Sequence, residues 1–188
     1  MYIKKQSDNQ DNTIIPDHLL LAVVLFGQAW SLWMRSFERS IHDAKLTVSQ
    51  VTALEALYFA GRHMTPTEIA RVLPLEVHSV SPLIDRLYHR KLVTRRHSKS
   101  DRRSVEVELT DEGKNLLRLI VPNLRSLMDD IFGSLTQQEL SEFHKLVRKV
   151  SYSCADYLGV NKENLESNTA LLVGASSKIK RSRKMKGK

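Results

Sequence analysis

Apolar positions along the chain fall into two rhythms, one helical and one strand-like. Leu19, Val23, Phe26, Trp30, Trp33 and Phe37 recur every three or four residues, which predicts a helix from about Pro16–Asp17 to about His42. Leu20, Val24, Leu25 and Leu32 add apolar surface on its other sides. A helix apolar over most of its circumference is usually enclosed, often by a partner subunit. A core helix of a monomer is the rival reading. An interfacial membrane helix fits less well, because Arg35, Glu38 and Arg39 come late and no basic face accompanies the apolar run. The run Leu19 to Phe26 falls short of the roughly 20 apolar residues that cross a bilayer. Gly27, Gln28, Ser31 and Arg35 interrupt its continuation, so neither a membrane span nor a secretory leader is expected.

Three further helices announce their starts chemically. Thr47-x-x-Gln50, Thr65-x-x-Glu68 and Thr136-x-x-Glu139 have the capping-box form, in which the threonine oxygen accepts an orphan N–H and the Glu or Gln reaches back to the cap. The first opens a helix with Val51, Leu54, Leu57 and Tyr58 on one face, ending near Gly61. The second is short, from Pro66 to about Leu73, with Pro74 beyond it. A fourth helix follows, with Val80, Leu83, Ile84 and Leu87 on one face and His78, Pro82, Asp85 and His89 on the other. Pro82 is costly in a helix interior, which predicts a late start with the cap near His78 or Ser79.

Val105, Val107 and Leu109 then alternate with Ser104, Glu106 and Glu108, the period of a half-buried strand. A strand at about Val93 to His97 would pair with it across the charged connection Ser98 to Arg103. Asp111 and Glu112 suit the start of a helix carrying Leu117, Ile120, Leu124, Leu127 and Ile131 to about Phe132, kinked at Pro122. The last helix runs from Gln137 to about Leu158, with Leu140, Phe143, Val147, Val150, Cys154 and Tyr157 on one side. The predicted fold is mainly α: short helix, turn, helix, hairpin, which is the winged helix-turn-helix order, joined to further helices.

Charge sharpens this picture. The chain carries 29 Lys and Arg against 21 Asp and Glu, a net +8 that favours polyanionic partners. Arg86, Arg90, Lys91, Arg95, Arg96, Lys99, Arg102 and Arg103 cluster around the fourth helix and hairpin, where Asp101 is the only acid after Asp85. A helix with a basic hairpin at its end suits duplex DNA, the helix entering the major groove and arginines meeting phosphates or the minor groove. A merely solvated charged surface is the bland alternative. Lys178 to Lys188 adds a second basic run, either a phosphate-attracting tail or a solubilising end.

Other chemistries find less support. One cysteine, Cys154, excludes an internal disulfide framework and fits a reducing cytoplasm. On the apolar side of the last helix it reads as a small core residue, with a redox role as the rival. His18, His42, His63, His78, His89, His97 and His144 make no tight ligand motif, so no metal and no cofactor are expected. No phosphate-binding glycine loop or G-x-S-x-G elbow argues for an enzyme. His144 and Cys154 are about 15 Å apart along one helix, too far for a dyad.

The segments LIDRL, LVTR, DRR and ELTDEG, at their spacing within Leu83 to Gly113, resemble the MarR family of transcriptional regulators, and the likeness extends over roughly Leu19 to Leu158. The resemblance implies a homodimer of winged helix-turn-helix subunits. It divides the chain into an N-terminal dimerisation helix (18–45), a DNA-binding lobe (46–110) and C-terminal dimerisation helices (111–158), while composition adds a flexible arm (1–17) before them and a basic, disordered tail (159–188) after them. It places His78, Ser79 and Ser81 at bases or phosphates, Arg86 and Arg95 at the DNA backbone, and Arg96, Lys99, Arg102 and Arg103 in the wing, where Asp101 holds the loop. It implies a cytoplasmic repressor of a pseudo-palindromic operator, with double-stranded DNA and a second subunit as partners. A small aromatic or anionic effector is a candidate partner, and Trp30, Trp33, Met34, Phe37 and His63 are the candidate pocket. A nonspecific architectural DNA binder and a redox- or metal-responsive regulator are the alternatives. Two departures stand out. Pro82 replaces an arginine that touches DNA in many members, and Lys91 stands where the helix usually ends on glycine, so it must accept a left-handed conformation or end the helix differently.

Overall fold

The computed structural model describes residues 15–73, 75–97, 105–163, 165–167 and 169–170. The elements are α1 (Asp17–Ser40), a 3-10 turn (His42–Ala44), α2 (Val48–Ala60), α3 (Pro66–Val72), α4 (Val77–His89), β1 (Val93–His97), β2 (Val105–Leu109), α5 (Asp111–Phe132) and α6 (Gln137–Leu158). Compactness divides the chain between Ser36 and Phe37. Mainly helical with one antiparallel hairpin, the order matches the expected winged helix-turn-helix.

All three capping boxes form. Thr47, Thr65 and Thr136 each accept from the N–H three residues on, and Gln50, Glu68 and Glu139 accept from the N–H of their own caps. Each such cap contributes about 1 kcal/mol. The core of the second unit is apolar and continuous: Val51, Leu54 and Leu57 from α2, Ile69 from α3, Val80, Leu83, Ile84 and Leu87 from α4, Val93 and Val107 from the hairpin, and Leu117, Ile120 and Leu124 from α5 are buried. The alternation read from sequence therefore sets the hairpin, whose register pairs Val93 with Leu109 and Arg95 with Val107. Sequence periodicity missed a third contributor to the sheet. Met64 exchanges both backbone hydrogen bonds with Val107, at 3.0 and 2.8 Å, and a one-residue bridge has no period to detect.

The end of α4 accommodates Lys91 by a Schellman turn. The N–H of Leu92 donates to the Leu87 carbonyl (3.0 Å) and that of Lys91 to the Tyr88 carbonyl (2.8 Å), with Lys91 at φ 58°. The hairpin and α5 close on this turn. The Thr110 N–H donates to the Leu92 carbonyl, and its hydroxyl donates to the Lys91 carbonyl while accepting from the Gly113 N–H. A Cβ at Gly113 would lie 2.3 Å from the Leu92 carbonyl oxygen, so only glycine fits this approach.

Several expectations change. Helix α4 starts earlier than its proline suggests, with Glu76 as an N-cap lacking a side-chain hydrogen bond and Pro82 inside the helix. Burial of Val80, Leu83 and Ile84 holds the first turns, at the cost of the bond that Pro82 cannot donate to the His78 carbonyl. Cys154 is exposed in the single chain rather than in a core. The reason is that α6 buries only Ala155 and leaves Phe143, Val147, Val150 and Tyr157 exposed. Structure also continues past Gly159: residues 162–163, 165–167 and 169–170 are helical, Lys162 Nζ lies 2.7 Å from Asp156 Oδ2, and the Tyr152 hydroxyl donates to Glu166. The basic run 178–188 and the arm 1–14 lie outside the described residues. Finally, the run Leu19 to Phe26 is part of a longer helix, α1. Its 24 residues reach about 36 Å, and an 18-residue window within it has a mean hydropathy of 1.3, enough to cross a bilayer by length and composition alone.

This packing sets two expectations for stability. Lys91→Gly removes the penalty of a left-handed side chain and should stabilise the chain by about 1 kcal/mol in urea denaturation. Glu55, set among the apolar residues of α2, makes no hydrogen bond or ion pair among the described residues, and burial raises its carboxyl pKa to about 7. The folded state thus holds the proton more tightly than the unfolded one. Stability should fall as pH rises from about 4.5 to about 7, by on the order of 1–3 kcal/mol in all. Glu55→Gln should match the wild type at pH 5 and exceed it at pH 8.

Candidate nucleic-acid interface

The amphipathic division of α4 creates the candidate surface. Val80, Leu83, Ile84 and Leu87 anchor the helix, and His78, Ser79, Ser81, Pro82, Asp85, Arg86 and His89 are left exposed. Four of the expected DNA-contacting residues, His78, Ser79, Ser81 and Arg86, therefore share one outward-facing helix. Among the described residues Arg86 makes no ion pair, so its guanidinium is available to a phosphate. Lys99, Asp101, Arg102 and Arg103 lie outside the described residues.

The other described arginines of the basic cluster are already engaged. Arg96 reaches across the hairpin to Glu106 at 2.9 Å, its register partner. Arg95 meets Asp85 of α4 at 2.5 Å and stacks over the Tyr88 ring, 5.2 Å from its centroid. Arg90 donates to two backbone carbonyls, those of Lys45 (2.6 Å) and Ala44 (2.9 Å), at the end of the 3-10 turn. Its fork matches two adjacent acceptors, as a lysine's ammonium would not. Sequence reasoning grouped all of these as one basic surface, because sign of charge does not reveal an internal partner.

The candidate pocket residues have varied surroundings. Trp30 is exposed, Trp33 and Met34 are half-buried, and Phe37 is buried. His63 follows α2, with its Nδ1 buried and 3.2 Å from Glu108 Oε2, close enough for charge attraction but not aligned as a hydrogen bond. Among the described residues no three His, Cys, Asp or Glu side chains converge as a metal site would require. A surface groove of about 490 Å³ lies instead on α6, lined by Lys149, Val150, Ser153, Cys154, Tyr157 and Leu158.

The HTH-type transcriptional regulator YsmB of Bacillus subtilis is 30% identical to the chain over 112 residues, which cover 60% of the chain and 76% of YsmB. The chain belongs to the MarR family. The MarR family model matches residues 46–105, which span α2, α3, α4 and the hairpin. The structure of BpsR of Bordetella bronchiseptica, studied for regulation of its DNA binding by 6-hydroxynicotinic acid, is 30% identical, covers 70% of this chain and 98% of its own, and superposes with a TM-score of 0.62. A mutant of MarR from E. coli, complexed with operator DNA, is 21% identical, covers 73% of this chain and 99% of its own, and shares the fold at a TM-score of 0.66. This MarR-family chain is thus built as a transcriptional regulator, and its exposed α4 face belongs to the lobe that defines the family.

The two helix arginines should separate experimentally. Arg90→Ala removes charge-assisted hydrogen bonds to two carbonyls and should cost about 1–3 kcal/mol of stability in urea denaturation. Arg86→Ala alters an exposed side chain and should stay within about 0.5 kcal/mol of wild type.

Proposed function

We propose that the chain is a cytoplasmic, homodimeric repressor that binds a pseudo-palindromic operator in double-stranded DNA. The observation that carries this reading is the exposed polar face of α4, held on a buried apolar face. A 13-residue helix is about 20 Å long and fits the major groove. His78, Ser79 and Ser81 would meet base edges or phosphates and Arg86 the backbone. Lys99, Arg102 and Arg103 of the wing would reach the adjacent minor groove, where guanidinium is favoured, with Asp101 steadying the loop. Relatives that carry the repressor name include MdtR of Bacillus subtilis at 26% identity and NicR of Pseudomonas putida at 29%.

A second subunit is the natural cover for the apolar surface. Leu19 to Leu25, Phe26, Trp30 and Leu32 on α1 are exposed, as are Leu119 and Met128 on α5 and Phe143, Leu146 and Val150 on α6. Apolar residues exposed in a row along a helix mark an interaction site, and a two-fold dimer would set its recognition helices about 10 bp apart. A dimer helix is also the reading of α1 that needs no membrane. The DNA binding of BpsR is regulated by 6-hydroxynicotinic acid, a small aromatic acid, which supports an effector of that class here. Such a ligand acts only if it binds one spacing of the recognition helices better than another.

The test is a DNA titration at two salt concentrations, with a duplex selected from random sequence by the wild-type chain and a scrambled duplex of equal length. A preference of about a thousandfold or more is expected. Equal, steeply salt-dependent binding to both would favour the architectural reading. Arg103→Ala should weaken specific binding and leave the dimer intact by sedimentation; unchanged affinity would remove the wing from the mechanism.

A further inference from the structure

Arg95 sits on an unusual side of its strand. Register pairs it with Val107, and its strand neighbour on the same side is Val93. Val93 and Val107 are 1% and 0% exposed, so this is the core-facing side of the hairpin, whereas Arg96 and Glu106 pair on the opposite side. From there the Arg95 guanidinium emerges against α4, where Asp85 and Tyr88, three apart on one helix face, receive its charge and its plane. Its Nε is shielded from solvent and has no hydrogen-bond partner among the described residues. A phosphate could use that nitrogen only by opening the contact.

We propose that Asp85, Tyr88 and Arg95 form a clamp that sets the angle between the recognition helix and the strand leading into the wing, so that Asp85 and Arg95 are positioning residues for DNA binding. The inference rests on the reading of α4 and the wing as the DNA-binding surface. An exposed ion pair alone contributes little stability. The value of this one lies in geometry, because the planar guanidinium is held by a carboxylate on one side and a ring on another, which leaves the strand one orientation relative to the helix. Its consequence runs against simple electrostatics. Asp85 is an acid on the face that meets DNA, so removing its charge should tighten binding if charge were all that mattered. A clamp requires the opposite.

The experiment compares wild type, Asp85→Asn, Arg95→Gln and the double variant, with binding to the selected duplex and to the scrambled one measured across a salt series. Circular dichroism and thermal melts confirm folding. If the wild type selects no duplex, the regulator reading fails and the clamp falls with it. Given a selected duplex, the clamp predicts that Asp85→Asn weakens specific binding about tenfold while nonspecific binding holds or tightens. It also predicts that the double variant is no worse than either single one, and that Arg95→Gln leaves the salt slope unchanged. Tighter specific binding by Asp85→Asn would overturn it. So would a salt slope smaller by about 0.9 for Arg95→Gln with additive losses in the double variant, the signature of a direct phosphate contact.

Discussion

The turn between α4 and β1 is the joint on which the DNA-binding lobe depends. Within Arg90 to Leu92 helix α4 ends, the hairpin begins, and both β2 and α5 are tied back. The Leu92 carbonyl accepts the Thr110 N–H and lies so close to Gly113 that no side chain fits there. Lys91 adopts a left-handed backbone to make the turn, and its carbonyl accepts the Thr110 hydroxyl. Four elements therefore meet through a few backbone groups with almost no slack. The physical content of the sequence ELTDEG becomes clear at this joint: Leu109 is buried, Thr110 caps, Asp111 and Glu112 complement the helix dipole, and Gly113 permits the approach.

Around that joint, much of the fold was legible from residue order alone. Capping boxes are local, since both partners lie within one turn, so Thr47, Thr65 and Thr136 act alike in sequence and in space. Alternation in Val105, Val107 and Leu109 carried the hairpin register because one face is buried. What escaped was non-local. Met64 joins the sheet through two backbone bonds that leave no trace in side-chain pattern. Arg90 and Arg95 read like any basic surface residues, and only the fold brings the Ala44 carbonyl or Asp85 within reach. Cys154 sat on an apolar stripe that predicts burial, but a stripe does not say whether its cover comes from the same chain.

The division of the basic cluster has a wider meaning. Among the described residues, arginines that look equivalent on a charge count separate into Arg90, Arg95 and Arg96, fixed on internal acceptors, and Arg86, which faces solvent. A duplex feels the net positive field of all of them, since long-range attraction depends on summed charge. Only an unpaired guanidinium can exchange its water for a phosphate without first breaking a protein contact. The paired ones shape the surface that the field draws in, so attraction and shape are served by the same residue type at neighbouring positions.

The start of α4 shows the opposite arrangement. Glu76 offers no side-chain cap, and Pro82 withholds the N–H that the His78 carbonyl would accept. The first turn keeps a hydrogen bond from the Ser79 N–H to the Glu76 carbonyl at 2.9 Å, while the Leu75 N–H ties the preceding loop to the Ala70 carbonyl of α3 at 3.0 Å. What secures this end is Val80, fully buried, together with Leu83 and Ile84 one turn on. Hydrogen bonding dominates where α4 ends and apolar packing where it begins. His78, Ser79 and Ser81 thus project from the half of the helix with fewer directional constraints, and Arg86 from the half beside the rigid joint. The two ends of one helix are thus anchored by different interactions.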